Sequence, residues 1–139
     1  MPRPDADPPP KVAPSPAERA GFRLERSLGC ILGAARQRRF LSYGELAWAN
    51  GLDWAAARRP INAHLWDLIV WGDRNGFPIL SAIVVNKMHL LTGRMEPETL
   101  KGFVAAARRL GRYDGSEPAV FLRAQQQALF DHVRDGPGG

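Results

Sequence analysis

A short series of polar side chains in the middle of the chain has residue types that can contact phosphates and bases. The series is Ser42 and Tyr43, then Arg58 and Arg59, and then Asn62. Hydroxyl and guanidinium groups donate hydrogen bonds to phosphate oxygens, and an asparagine amide matches the edge of adenine. The chemistry indicated is therefore non-covalent recognition of a nucleic acid.

The residue types that carry catalysis are present without the spacing that catalysis needs. His64, His89 and His132 show no metal-ligand spacing with one another or with acidic residues. Asp67 and Asp73 are six residues apart on one predicted helix, so they lie on different faces. The chain also lacks a glycine-rich phosphate loop. We therefore expect no catalytic residues, no metal site and no cofactor.

A predicted helix begins where the polar series begins. Ser42 and Glu45 have the spacing of a capping box, in which the serine hydroxyl accepts the amide N–H of residue 45 and the glutamate accepts the amide N–H of residue 42. Asn50 and Gly51 supply a left-handed exit from this helix. The helix therefore spans residues 42 to about 49.

A longer helix is predicted to follow. Asp53 can cap a short turn, and Pro60 suits the first turn of a helix that continues to about residue 74. Polar residues at the start of this helix occupy the place where a recognition helix contacts base edges, with an apolar stripe packed below. They are Arg58, Arg59 and Asn62.

Arginines also lie at the end of the helix that is predicted before these two helices. An apolar period over residues 17–38 indicates one supporting helix. Arg38 and Arg39 stand at its carboxyl end, where cations interact favourably with the helix dipole. The same position would let them contact phosphate, and the sequence leaves both interpretations open.

A hairpin is predicted after the longer helix. Residues 80–85 form an apolar run whose β-branched end is typical of a strand. Residues 88–92 can pair back as a second strand, which would be the wing of a winged helix-turn-helix. Lys87 and Arg94 would then lie near the tip and the base of the wing, in positions to contact phosphate.

Two amphipathic helices are predicted in the C-terminal part. One begins at Pro97 and ends at Gly111, and the other is capped by Ser116 and continues to about Arg134. Residues 114–139 carry two basic and four acidic side chains, so we expect the second helix, which lies in this acidic segment, to pack on the far side of the body or against a partner. The expected organisation is a disordered proline-rich leader at 1–16, a winged-helix domain at 17–113, the C-terminal helix at 114–135 and a flexible tail at 136–139.

The chain of 139 residues has the size of one domain, and its formal charge of +5 is concentrated in the centre. Residues 21–60 carry seven basic and three acidic side chains, and a basic body attracts polyanions. A single cysteine, Cys30, allows no disulfide within the chain, and no apolar run is long enough to span a bilayer. We expect a cytoplasmic, nucleoid-associated protein that does not bind membranes.

Four tryptophans within 24 residues support a different interpretation, because tryptophan is enriched at interface hot spots. We expect Trp54 and Trp66 to be the exposed pair. These residues or the C-terminal helix could bind a protein partner, so an adaptor function stays open beside DNA binding. The four are Trp48, Trp54, Trp66 and Trp71.

Three segments resemble the DNA-binding domain of alkylated-DNA alkyltransferases and alkyltransferase-like proteins. They are Ser-Tyr-Gly-Glu-Leu-Ala at 42–47, Arg-Pro-Ile-Asn-Ala-His-Leu at 59–65, and Pro-Ile-Leu at 78–80. The resemblance spans roughly residues 24–105. It implies that Tyr43 presses on the phosphate of a target nucleotide. It also implies that Arg59, or alternatively Arg58, enters the base stack in place of a flipped base.

The chain departs from this family at its reactive motif. The family's Pro-Cys-His-Arg would fall at residues 82–85, which are Ala-Ile-Val-Val here. Without a thiolate there, the chain has no acceptor for an alkyl group, and Cys30 lies outside the motif. The expected function is therefore non-catalytic binding of double-stranded DNA, as a transcriptional regulator or a DNA-associated accessory factor. A lesion sensor that does not repair is a further alternative.

The expected fold class follows from these elements together. It is mostly α (α+β), a winged helix-turn-helix with a short β-hairpin wing and added C-terminal helices. Double-stranded DNA is the expected partner.

Overall fold

The computed structural model describes residues 14–135, which are mostly helical with one small sheet. The expectations for residues 1–13 and 136–139 lie outside these residues. No helix in the described part is long and apolar enough to cross a bilayer. The elements are α1 (Pro16–Ala20), α2 (Leu24–Arg36), β1 (Leu41–Ser42), α3 (Tyr43–Ala49), α4 (Trp54–Ala57), α5 (Ile61–Arg74), a first 3-10 helix (Leu80–Ile83), β2 (Val84–Val85), a second 3-10 helix (Lys87–His89), α6 (Pro97–Arg109) and α7 (Pro118–Asp135).

The single helix predicted over residues 17–38 is wrong, because the chain breaks at Gly21. Gly21 has a φ of 113°, which ends α1 in a left-handed conformation that favours glycine. A capping box between Ser15 and Glu18 starts α1, so part of the predicted leader belongs to the folded body. The break inserts the fully buried ring of Phe22 into the core.

The capping box predicted at the start of α3 is confirmed. The amide of Glu45 donates to the Ser42 hydroxyl at 3.0 Å, and the amide of Ser42 donates to the Glu45 carboxylate at 2.9 Å. Gly51, with a φ of 74°, provides the left-handed exit. Asp53 then caps α4 by accepting the amide N–H of Ala56 at 2.9 Å. Local sequence signals therefore place the helices that carry the polar series.

The predicted hairpin wing is absent from the described residues, because the strand pairs elsewhere. β1 pairs with β2 in parallel, with Leu41 opposite Val84 and Ser42 opposite Val85. Residues 80–83 form a 3-10 helix instead of a strand, and residues 88–92 contribute to the second 3-10 helix and a turn. A short apolar run does not distinguish a strand from a buried helical turn, which is why the prediction failed here.

Two apolar clusters hold the elements together. The first joins α2, α3, α5 and α7, and it includes the fully buried Ile31, Leu68 and Leu129. The second lies beneath α5 and α6 and contains Ile69 and Phe103. Each such side chain stabilises the fold by about 1.5–3 kcal/mol relative to its exposed state. The second cluster therefore fixes the helices that line the groove described below.

α7 packs on the body through a buried amide. Gln126 donates two hydrogen bonds from Nε2, to the carbonyl of Ala82 at 2.9 Å and to that of Gly93 at 2.8 Å. The predicted cap at Ser116 is not formed, since its amide and hydroxyl donate to Asp114. The Gln126 amide thus satisfies two carbonyls in the core.

Candidate nucleic-acid interface

A groove of about 550 Å³ runs between α5 and α6. Asn62 and Trp66 line it from one face of α5, because residues four apart on a helix share a face. Thr99 and Phe103 line it from the corresponding face of α6. The lining combines buried apolar side chains with exposed polar ones, as is typical of ligand-binding clefts.

Three residues of the predicted polar series meet at this groove. Tyr43, Arg58 and Asn62 all line it, although Tyr43 belongs to α3 and is 19 residues from Asn62 in sequence. Trp54 lines the same end. The tertiary structure therefore brings together a phenol, a guanidinium, an amide and an indole, which is a suitable set for contacting phosphates and base edges.

Arg58 and Arg59 lie in the connection between α4 and α5, and burial of their neighbours holds them in place. Ala57 and Ile61 are buried on either side of them. The amide of Arg58 donates to the carbonyl of Trp54 at 2.9 Å, which continues the turn of α4. Both arginines are therefore exposed, and within residues 14–135 neither side chain makes a hydrogen bond or an ion pair.

Tyr43 begins α3 and is half-buried at the edge of the groove. Burial raises the pKa of its hydroxyl, and the Glu96 carboxylate raises that pKa further. The phenol is consequently neutral near pH 7 and can donate its proton in a hydrogen bond. This property suits a contact with a phosphate oxygen.

Ser42, Arg38 and Arg39 do not line the groove. Ser42 is buried, and its hydroxyl accepts the capping hydrogen bond described above. Arg39 approaches Glu45 at 3.6 Å and donates to Gln37 at 2.7 Å. The structure therefore gives Ser42 and Arg39 structural contacts.

Arg38 makes contacts with α7 that the sequence did not indicate. Its guanidinium is 3.4 Å from the Asp131 carboxylate and lies over the Phe130 ring, 5.3 Å from the ring centroid. Its φ of 55° is unusual for a residue other than glycine. Arg38 thus helps to join the end of α2 to the C-terminal helix.

Lys87 and Arg94 are exposed, but they lie on a compact turn and not on a hairpin. Parallel pairing sends β1 and β2 toward the same edge, so Tyr43 and Asn86 leave that edge as neighbours. Lys87 follows Asn86 directly. Lys87 therefore lies on the Tyr43 side of the molecule, and within residues 14–135 neither Lys87 nor Arg94 makes an ion pair.

The exposure of the tryptophans differs from the prediction. Trp54 is 47% exposed, as expected, but Trp66 is half-buried beneath the Arg109 guanidinium, 3.9 Å from its ring centroid. Trp48 is 81% exposed and is the residue that the sequence interpretation missed. Its position on α3, about 160° around the helix from the buried Leu46, was the signal that could have identified it.

The positions of the family's reactive motif lie in the core. Residues 82–85 are all buried, and none of them lines the groove. Burial raises the pKa of the Cys30 thiol, Glu45 raises it further, and Arg39 opposes them, so the thiol is protonated at neutral pH. Within residues 14–135, no group of three or more histidine, cysteine or acidic residues is placed to hold a metal ion.

Comparison of the chain with protein-family models, with curated proteins and with solved structures finds no match. Any functional assignment must therefore be argued from the geometry of this chain.

Proposed function

We propose that this protein binds double-stranded DNA through a helix-turn-helix formed by α3 and the α4–α5 segment. The observation that carries the proposal is the convergence of Tyr43, Arg58 and Asn62 on one groove. Their donors suit phosphate oxygens and base edges, and the arginine is exposed without an ion-pair partner among residues 14–135. In this proposal the start of α5 contacts the bases, and α3 lies across the backbone.

The charge distribution supports this proposal. Arg58 and Arg59 are adjacent and unpaired within the described part of the chain, so bringing them to phosphates breaks no existing ion pair there. Lys87 and Arg94 add two exposed cations in the segment that follows β2. In this proposal residues 86–94 contact the DNA in place of the predicted hairpin wing. Release of counterions from the DNA then favours association.

A titration of duplex DNA at two salt concentrations tests the proposal. We expect affinity to fall steeply between about 50 and 200 mM salt, because several phosphates are neutralised. Arg58→Ala and Arg59→Ala should each weaken binding about tenfold and leave the melting temperature nearly unchanged. Arg74→Ala is the matched control, since Arg74 is also exposed but lies at the opposite end of α5.

Two results would refute the proposal. One is the absence of duplex binding even at about 50 mM salt, where electrostatic attraction is strong. The other is unchanged affinity in both the Arg58→Ala and the Arg59→Ala variants. If the protein does bind DNA, genomic footprinting distinguishes a regulator with defined operators from a general accessory factor.

The 81% exposure of the Trp48 side chain supports a second candidate function, that of a protein adaptor. An indole exposed to this degree has the chemistry of an interface hot spot. A photoreactive amino acid introduced at position 48 should then form adducts with a protein in cells and not with nucleic acid. Under the DNA-binding proposal, Trp48→Ala leaves affinity for DNA unchanged.

A further inference from the structure

The turn formed by residues 86–94, called the 86–94 turn below, exposes large apolar side chains. Leu91 is 98% exposed and Met88 is 75% exposed. They are three residues apart and lie between Lys87 and Arg94, whose side chains are also exposed. The turn therefore carries apolar groups at its surface and a cation at each end.

Several contacts hold the 86–94 turn in one conformation. The Asn86 side chain accepts the amide N–H of Met88 at 3.2 Å, and the amide of Gly93 donates to the carbonyl of His89 at 2.8 Å. Gln126 binds the carbonyl of Gly93 at 2.8 Å. The apolar side chains are thus presented by a fixed support, so little ordering is needed when a partner covers them.

His89 anchors the far side of the turn. Its Nε2 lies 2.9 Å from the Glu96 carboxylate, and the same carboxylate is close enough to Tyr43 to raise the pKa of its hydroxyl. The turn therefore lies close to Tyr43, which also lines the groove.

We propose that Leu91 and Met88 insert between base pairs of double-stranded DNA from the minor groove, and that Lys87 and Arg94 contact the flanking phosphates. This inference rests on the proposed DNA binding. Apolar wedges of leucine and methionine partly unstack a base step and bend the duplex. The charge pattern selects this partner, since two unpaired cations beside an apolar tip complement a phosphate backbone around stacked bases.

DNA bending measures the proposed insertion directly. A short duplex with a donor and an acceptor dye at its two ends is titrated with the full chain, and energy transfer reports the bend at saturation. We expect the wild-type protein to bend the duplex by about 20° or more. The double variant Met88→Ala/Leu91→Ala should bind with at most a severalfold loss of affinity and should lose most of the bend.

Two controls separate a wedge from a general effect of apolar surface. Val120→Ala removes an exposed apolar side chain on α7, where Val120 is 56% exposed, and should leave the bend unchanged. Leu91→Ile keeps an apolar wedge of similar volume and should retain the bend. The melting temperature of each variant confirms that it folds, because the substituted side chains are exposed.

The possible results distinguish the two proposals. If the wild-type protein binds the duplex without bending it, or if Met88→Ala/Leu91→Ala bends it fully, insertion is overturned and DNA binding stands. If the wild-type protein does not bind the duplex at low salt, both the DNA-binding proposal and the insertion proposal are refuted. If Leu91→Ala abolishes self-association in sedimentation while bending is unchanged, the apolar tip contacts a second copy and insertion is overturned.

Discussion

The hydroxyl of Ser27 lies 2.6 Å from Nε2 of His64 in the buried interior. Asn50 donates its amide N–H to the same hydroxyl at 2.8 Å, so Ser27 links His64 to Asn50. The Phe22 ring stacks on the imidazole with centroids 4.4 Å apart. Burial lowers the pKa of His64 from 6.5 to about 4, which keeps the ring neutral at physiological pH.

We expect the free energy of unfolding to fall as the pH drops from about 6.5 to about 4. His64 is neutral in both states above this range, whereas within it only the unfolded chain binds the proton. The contribution lost amounts to about 3 kcal/mol at the lower limit. Urea unfolding of wild type and His64→Gln at several pH values measures it, because the glutamine does not titrate. Identical losses in the two proteins would contradict the prediction.

Replacement of Gly93 should destabilise the protein more than replacement of Gly111. The two glycines have nearly the same positive φ, 72° and 73°, so alanine meets the same backbone strain at both positions. A Cβ at Gly93 would also overlap the Phe40 ring, whereas one at Gly111 meets open space. Gly93→Ala should therefore cost about 1–3 kcal/mol more than Gly111→Ala in urea unfolding. Equal costs would show that the Phe40 ring moves aside freely.

Removal of the Gln126 amide should leave two backbone carbonyls without their donor. Gln126→Leu is expected to lower the free energy of unfolding by about 1–3 kcal/mol, because Ala82 and Gly93 lose buried hydrogen bonds. Gln127→Leu is the control, since Gln127 is exposed and its substitution should change stability by about 0.5 kcal/mol or less. Thermal unfolding of both variants tests this, and a stable Gln126→Leu protein would disprove the structural role.

Tyr43→Phe should weaken DNA binding less than Arg59→Ala does. The variant keeps the ring at the groove and loses one neutral hydroxyl, whereas the arginine variant loses a full charge near phosphate. We expect a loss of about threefold or less, against about tenfold for Arg59→Ala. The same duplex titration measures both. A larger effect of Tyr43→Phe would identify the phenol hydroxyl as the main phosphate contact.

Part of the candidate site could be predicted because its signals are local. The Ser42–Glu45 capping box and the Asp53 cap depend on residues three apart in the chain, and both form as predicted. The positions of Arg58 and Asn62 could then be predicted, because both residues lie close to the start of α5. The placement of Tyr43 against the same groove depends on how α3 packs, and the resemblance to a known family, not the local pattern, suggested its role.

Other features of the site escaped prediction because distant residues determine them. Trp66 is covered by Arg109, which is 43 residues away, while Trp48 stays exposed because no distant element packs over it. Arg38 looked like a free cation at a helix end, yet Asp131 on α7 pairs with it. Contacts between residues so far apart produce no pattern in the sequence around either residue, so they could not be predicted.

The sequence by itself determined most of the helices and the caps at Ser42 and Asp53, because these depend on hydrogen bonds and periodicity within a few residues. Only the tertiary structure decided the form of residues 80–94. The run from Leu80 to Val85 is apolar enough for a strand or for a buried helical turn, and parallel pairing with Leu41 and Ser42 selected two residues of strand after a 3-10 helix. In place of the expected wing there is a compact turn held by Gln126, because β2 pairs with β1 and, within the described residues, not with residues 88–92.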